Sequence, residues 1–271
     1  MNPKLVDIHC HLNFPNFNLD RNDVIKRALD AGVWIINIGS CFKNSKQAVE
    51  IAEKYEQGVY ASVGLHPDEE IQFPLGNWIS KLSELAKYPK VVAIGECGLD
   101  FKTQSANLET QKELFIRQIE LAKELNKPLM IHCRQAHKEV IEILKKSKHY
   151  GNIHFFSGNW EQAKKYFDLG FTISFTGVIT FARDYDEVIK KSPLDKIMIE
   201  TDAPFARPLT PERSDGGRVA PIPYRGKRNE PFYVQEVAKK IAEIKNLSFE
   251  EVARTTTKTA STLFSLSPKV L

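Results

Sequence analysis

The sequence predicts a (β/α)8 barrel, and three observations carry that expectation. Eight short apolar runs recur along the 271 residues, separated by charged Ala/Leu/Lys/Glu-rich stretches of helical length. The runs are rich in Val, Ile and Phe and mostly continuous, as strands buried on both faces of a parallel sheet should read. The Gly-x-Gly-x-x-Gly fingerprint of a dinucleotide-binding sheet is absent after the first run. An open doubly wound sheet stays the competing arrangement, because periodicity does not report closure.

In order, the expected strands are Leu5–Leu12, Trp34–Ser40, Val59–His66, Val91–Leu99, Pro128–Cys133, Asn152–Phe156, Phe171–Thr176 and Ile197–Thr201. The clearest helix is Leu108–Leu125, where Phe115, Ile119, Ala122 and Leu125 recur at helical spacing and read as core packing. One irregular stretch, Ala203 to Pro231, is rich in Pro and Gly and too long for a simple connection. Two closing helices follow, roughly Phe232–Lys245 and Ser248–Leu266, the second opened by Ser248 with Glu251 three residues on, a capping-box pattern. No internal repeat or composition shift marks a boundary, so a single domain over 1–271 is expected.

Composition excludes more than it identifies. The chain is 42% hydrophobic and 27% charged, with 38 Lys+Arg against 34 Asp+Glu, a net charge of +4. That is too small for a nucleic-acid coat or a membrane-surface protein. No apolar stretch approaches the roughly 18 residues of a membrane span, and Met1-Asn2-Pro3-Lys4 lacks the apolar region of a signal peptide. Cys10, Cys41, Cys97 and Cys133 are far apart with no CxxC, which suits a reducing cytoplasm. Nothing points to an obligate protein partner.

The chemistry lies at the strand ends. His9 and His11 close the first run, and residues two apart on a strand face the same side, so both imidazoles can converge on one ion; two satisfied or solvated histidines are the alternative for the pair alone. Glu96 ends the fourth run, His132 the fifth, His154 lies in the sixth and Asp202 follows the eighth. Each has a bland explanation: a hydrogen-bonded core histidine, a partner for Arg134, a loop cap. Four histidines and two carboxylates at the same end of successive strands, the mouth where barrel active sites sit, predict a metal centre. Six N/O ligands exceed the set of one tetrahedral zinc, so two divalent ions bridged by a carboxylate are expected. Cys10, Cys97 and Cys133 flank these ligands but alternate to the other face, as small packing groups. His66, in Gly64-Leu65-His66-Pro67, reads equally as a substrate contact or as a brace for the Pro67 turn. His137 and His149, among Lys and Glu, read as surface residues.

At this point the sequence resembles the TatD family of metal-dependent deoxyribonucleases. The matching stretches are Val6-Asp7-Ile8-His9-Cys10-His11-Leu12-Asn13, Gly64-Leu65-His66-Pro67, Gly95-Glu96-Cys97-Gly98-Leu99-Asp100 and Pro128 to Arg134, then His154-Phe155-Phe156-Ser157-Gly158, Ile173 to Gly177, Glu200-Thr201-Asp202-Ala203-Pro204 and Arg225 to Pro231. They span nearly the whole chain in order. The resemblance implies a metallo-hydrolase barrel in which His9 and His11 hold one ion with Asp202, His132 and His154 hold the other, and Glu96 bridges. It also implies hydrolysis of DNA phosphodiesters, including exonuclease action. Ile8, Asn13, Lys138 and Ala206-Arg207 depart from the family pattern, and the segment from Asp202 to Arg225 looks about ten residues longer than barrel loops lead one to expect. None of these removes a ligand.

The expected mechanism is attack by a water activated between two ions, with Asp202 accepting its proton and Glu96 holding the ions together. His66 and Arg134 are candidates for gripping phosphate. Five of the 11 arginines, Arg207, Arg213, Arg218, Arg225 and Arg228, crowd one loop with Lys227 and offer a guide for a nucleic-acid backbone; a solvated loop with salt bridges is the alternative. The metal is open among Mg, Mn, Zn, Ni and Fe. Two rival functions remain: a hydrolase of the same barrel acting on a non-nucleic-acid ester, amide or lactone, and a silent metal- or nucleic-acid-binding protein.

Overall fold

In the computed structural model, residues 2–69, 75–102, 107–205 and 228–266 are described here. Strand and helix alternate throughout: β1 (Leu5–Cys10), α1 (Arg21–Asp30), β2 (Val33–Ile38), α2 (Phe42–Ala52), β3 (Val59–Val63), α3 (Leu75–Ala86), β4 (Val91–Asp100), α4 (Leu108–Glu124), β5 (Leu129–Arg134) and α5 (His137–Ser147). There follow β6 (Gly151–Ile153), α6 (Trp160–Asp168), β7 (Thr172–Phe175), α7 (Asp186–Lys191), β8 (Ile197–Ile199), α8 (Val234–Lys245) and α9 (Phe249–Leu263). The strands pair in parallel in the order β1 to β8. Closure comes after β8: the Asp202 amide donates to the His9 carbonyl at 2.8 Å and the His11 amide to the Ala203 carbonyl at 2.6 Å. The expected barrel is therefore the observed one, and the open-sheet alternative is excluded.

Two apolar layers hold it. The larger packs the outward strand residues (Ile35, Ala61, Ile131, Ile173, Ile199) against the helices, including Phe115, Ile119 and Ala122 of α4. The smaller gathers alternate strand residues, Val6, Ile8, Trp34, Ile36, Tyr60, Met130 and Met198, with Ala260, Phe264 and Leu266 at the C-terminal end of the described chain. Burying one such side chain contributes about 1.5–3 kcal/mol. Cys10, Cys97 and Cys133 lie in the outer layer as small buried groups. Ser248 caps α9 by accepting the Glu251 amide at 3.1 Å, while a full reciprocal box forms between Asn159 and Gln162 at α6.

Two strands break regular pairing where the chemistry sits. The β1–β2 register shifts between Asp7 and Cys10, and the β4–β5 register shifts between Ile94 and Cys97. Ile94 and Cys97, three residues apart, both belong to the outer layer, so the alternation slips by one between them. Such irregularities re-aim side chains, and here they lie at His9 and Glu96.

Candidate metal centre

All six predicted ligands converge, buried, at the C-terminal mouth. Glu96 is central. Its Oε1 lies 2.9 Å from His132 Nδ1 and 2.9 Å from His154 Nε2, while its Oε2 lies 3.5 Å from His9 Nε2 and 3.7 Å from His11 Nε2. Asp202 Oδ1 approaches His11 Nε2 at 3.5 Å and His9 Nε2 at 3.8 Å. One carboxylate thus addresses two histidine pairs with its two oxygens. Asp202 adopts a left-handed backbone, φ 56°, a conformation that costs a non-glycine residue free energy and clusters at functional sites.

The electrostatics follow from this crowding. Burial pushes the Glu96 carboxyl up, but His154, His66, His9 and His132 outweigh it and hold it well below the usual carboxylate range. Burial pulls His154 down, and Glu96 and Glu200 reverse that to about 10. His9 falls to about 4, chiefly through burial and then through His154.

The residues fit divalent metal. His9 Nε2 and His11 Nε2 stand 3.1 Å apart, close to the roughly 3.4 Å separating two nitrogens that share a tetrahedral ion at about 2.1 Å. Their distal Nδ1 atoms are buried without a hydrogen-bond partner among the described residues. Three ligand groupings are compact enough for an ion: His9–His154–Asp202, His9–His11–Glu96 and His66–Glu96–His132. Imidazole and carboxylate without thiolate suit borderline-to-hard divalent ions.

His66 joins the centre, with Nε2 3.6 Å from Glu96 Oε1 and its ring against His132. Its Nδ1 accepts the Asp68 amide at 3.2 Å. That assigns the proton of a neutral ring to Nε2, directed into the site as a donor. The turn brace and the substrate contact are therefore compatible. Arg134 lines a pocket of about 130 Å³ beside the centre with His154, Phe155, Ser157 and Tyr185. It does not pair with Glu96, whose ion-pair partners among the described residues are histidines.

Three buried carboxylates escaped the sequence reading. Asp100 Oδ2 lies 3.0 Å from His132 Nε2, Glu200 Oε1 lies 3.3 Å from His154 Nδ1, and Asp7 accepts the His9 amide and both the amide and hydroxyl of Thr201. The same-face rule that paired His9 with His11 also pairs Asp100 with Gly98 and Glu96, and Glu200 with Asp202. Asn13 donates to the Ile38 and Asn44 carbonyls at 3.1 and 3.0 Å, a role closed to an ionised carboxylate.

Two expectations are corrected. His137 is not a surface residue: it is 8% exposed, and its Nδ1 meets Tyr166 Oη at 3.0 Å and Cys133 Sγ at 3.3 Å. It opens α5 on the face that also carries Val140, Ile141 and Leu144, all buried. His149 is half-buried against the Lys127 carbonyl, 2.8 Å from its Nε2. Arg228 takes the salt-bridge alternative: it grips Asp20 with both terminal nitrogens at 2.8 and 2.6 Å and Glu230 at 3.0 Å. Arg207, Arg213, Arg218, Arg225 and Lys227 lie outside the described residues, as does most of the 203–231 loop.

Comparison with known proteins identifies the family. The family described as TatD related DNase matches residues 6–265. YabD of Bacillus subtilis, named an uncharacterized metal-dependent hydrolase, is 40% identical over 97% of this chain and all of its own length. A protein of Shigella flexneri named 3'-5' ssDNA/RNA exonuclease TatD is 34% identical over 97% of this chain and all of its own. The crystal structure of YjjV, a TatD homologue from Escherichia coli, superposes with a TM-score of 0.85 at 31% identity, covering 98% of this chain and all of that one. A dihydroorotase, at 17% identity and a TM-score of 0.62, shares the fold alone. With the family matched over nearly all its length, the chain belongs to the TatD family of metal-dependent hydrolases.

Proposed function

We propose that this enzyme is a deoxyribonuclease of the 3'-5' exonuclease type, cleaving phosphodiester bonds with water activated at a two-metal centre. The observation that carries the reading is Glu96, whose two oxygens face two separate histidine pairs. The exonuclease named among its relatives supports the substrate class. His9, His11 and Asp202 would hold one ion and His132 and His154 the other, with Glu96 shared between them. When bound, the ions lower the pKa of a water and neutralise phosphoryl charge; Mg, Mn, Zn, Ni or Fe suits this donor set.

The chain's own residues do the rest. Asp202 Oδ1, within 4 Å of both His9 and His11, takes the proton of the attacking water. Glu96 stays ionised, because the surrounding imidazoles hold its carboxyl low, and so keeps the two halves of the centre together. His66 Nε2 donates to a phosphoryl oxygen, and Arg134 takes a second oxygen from the adjoining pocket. The protein works as one domain over 1–271, in the cytoplasm, in keeping with four free cysteines. No helix among the described residues is long and apolar enough to cross a membrane.

End-labelled single-stranded DNA, RNA and a simple ester, offered to EDTA-treated and metal-reloaded protein, test this reading. Metal-dependent shortening of DNA from the 3' end is the expected result, abolished in Glu96→Ala and Asp202→Ala. Ester hydrolysis with both nucleic acids intact would overturn it and favour the non-nucleic-acid hydrolase.

A further inference from the structure

Around the centre, His132 and His154 present opposite ring nitrogens inward. His132 turns Nδ1 to Glu96 at 2.9 Å and Nε2 to Asp100 at 3.0 Å. His154 turns Nε2 to Glu96 at 2.9 Å and Nδ1 to Glu200 at 3.3 Å. Each imidazole is therefore spanned by two carboxylates, one inside the centre and one behind it. Both outer carboxylates are buried and held in place. Asp100 Oδ1 accepts the Lys102 amide at 2.8 Å. Glu200 Oε1 accepts the Phe155 amide at 2.7 Å and Oε2 the Ser174 hydroxyl at 2.8 Å. His9 and His11 differ: among the described residues their carboxylate contacts all run through Nε2, and no carboxylate lies within ion-pair distance behind their buried Nδ1 atoms as Glu200 lies behind His154.

We propose that Asp100 and Glu200 are positioning residues that set which nitrogen of His132 and of His154 faces the metal, and that they serve this subsite and not the one formed by His9 and His11. The inference rests on the ligand assignment proposed above. A carboxylate behind a ligating histidine fixes its tautomer, locks its ring and raises its basicity, and loss of such a partner typically weakens metal binding about 10–100-fold. Because the two rings are held in opposite senses, one carboxylate does not substitute for the other. His132 carries its proton on Nε2 and His154 on Nδ1, each pointing away from the ion.

Zinc titration of the metal-free full chain by calorimetry, with nitrogen-15 histidine spectra of the zinc-loaded protein, tests this directly and independently of nuclease activity. Wild type is expected to take two equivalents, with His132 protonated at Nε2 and His154 at Nδ1. Asp100→Asn and Glu200→Gln are each expected to weaken the same one of the two binding steps by about 10–100-fold. His9→Ala is expected to remove the other step. Ser174→Ala, which loosens Glu200 without touching a ligand, follows Glu200→Gln in direction. Unchanged affinities in both carboxylate variants, equal weakening of both steps, or the reverse tautomers would overturn the proposal. A wild type that binds two equivalents with these tautomers yet cuts no nucleic acid would overturn only the substrate reading.

Discussion

Gly98 passes so close to His132 that a Cβ built on it overlaps the His132 carbonyl oxygen. Its φ of 143° is a second reason for glycine, since L side chains rarely adopt that backbone. The close approach lets β4 place Glu96 and Asp100, two residues either side of Gly98, on the two nitrogens of one imidazole. Gly98→Ala must therefore push β4 from β5. Overpacking of this kind costs about 1–3 kcal/mol, and denaturant midpoints will show a loss in that range. Weaker metal uptake should accompany it, because the Glu96–His132 contact widens. A variant as stable as wild type with full metal content would show that the strands separate freely.

The direction of the His66 proton separates a substrate contact from a third grouping of metal ligands. With the Asp68 amide donating to Nδ1, Nε2 is the protonated nitrogen and faces the site. Removing a donor aimed at developing negative charge typically lowers kcat by about 100–1,000-fold. His66→Ala is expected to lose activity on that scale while its metal content, measured by elemental analysis, stays at the wild-type value. A drop in bound metal would make His66 a ligand, as its grouping with Glu96 and His132 allows.

Much of this architecture is legible in the sequence because its signals are local. Strands buried on both faces are continuous apolar runs, and a ligand after such a run lies at the mouth whichever barrel it belongs to. The register shifts at Asp7–Cys10 and Ile94–Cys97 are not legible: a bulge changes where side chains point without changing the composition of the run. Asp100 and Glu200 were within reach of the strand's two-residue period. His137 was hidden by its Lys and Glu neighbours, although Val140, Ile141 and Leu144 recur from it at helical spacing and mark the inward face. Arg228 shows the opposite limit. A cluster of arginines in sequence says nothing about which of them already has a carboxylate.

That last distinction is measurable. Arg228 is bound to Asp20 and Glu230, takes the Asn16 carbonyl at 2.7 Å and lies over the Phe17 ring at 4.3 Å. Arg27 shares Glu230 at 2.9 Å. Arg228→Ala is expected to lower stability by about 1–2 kcal/mol, in line with a two-pronged ion pair of partial exposure. It should leave the salt dependence of DNA binding unchanged, since no phosphate contact is lost. An arginine that does meet phosphate reduces the slope of log K against log salt by about one when removed. A flattened slope for Arg228→Ala would return this residue to the nucleic-acid surface.

The buried His137 predicts how the fold responds to acid. Burial lowers its pKa from the ordinary 6.5 to about 4, so the folded protein keeps the ring neutral where the unfolded chain already binds a proton. Stability from this group is complete above pH 6.5 and is lost as pH falls from there toward 4, where the folded state can at last take up the proton. Within that window the loss approaches about 1.4 kcal/mol per pH unit. The surroundings offer no compensation: Cys133 and Tyr166 are neutral, burial holding both groups up, and Nε2 is buried without a partner among the described residues. His137→Gln keeps a polar group toward Tyr166 but cannot titrate. Urea midpoints of the metal-free proteins at pH 7, 6 and 5 should fall less steeply in the variant than in wild type. The histidines gathered at the mouth are the same in both proteins and cancel in the difference. Parallel profiles would mean that His137 reaches water in the folded state and is not the group that acid attacks.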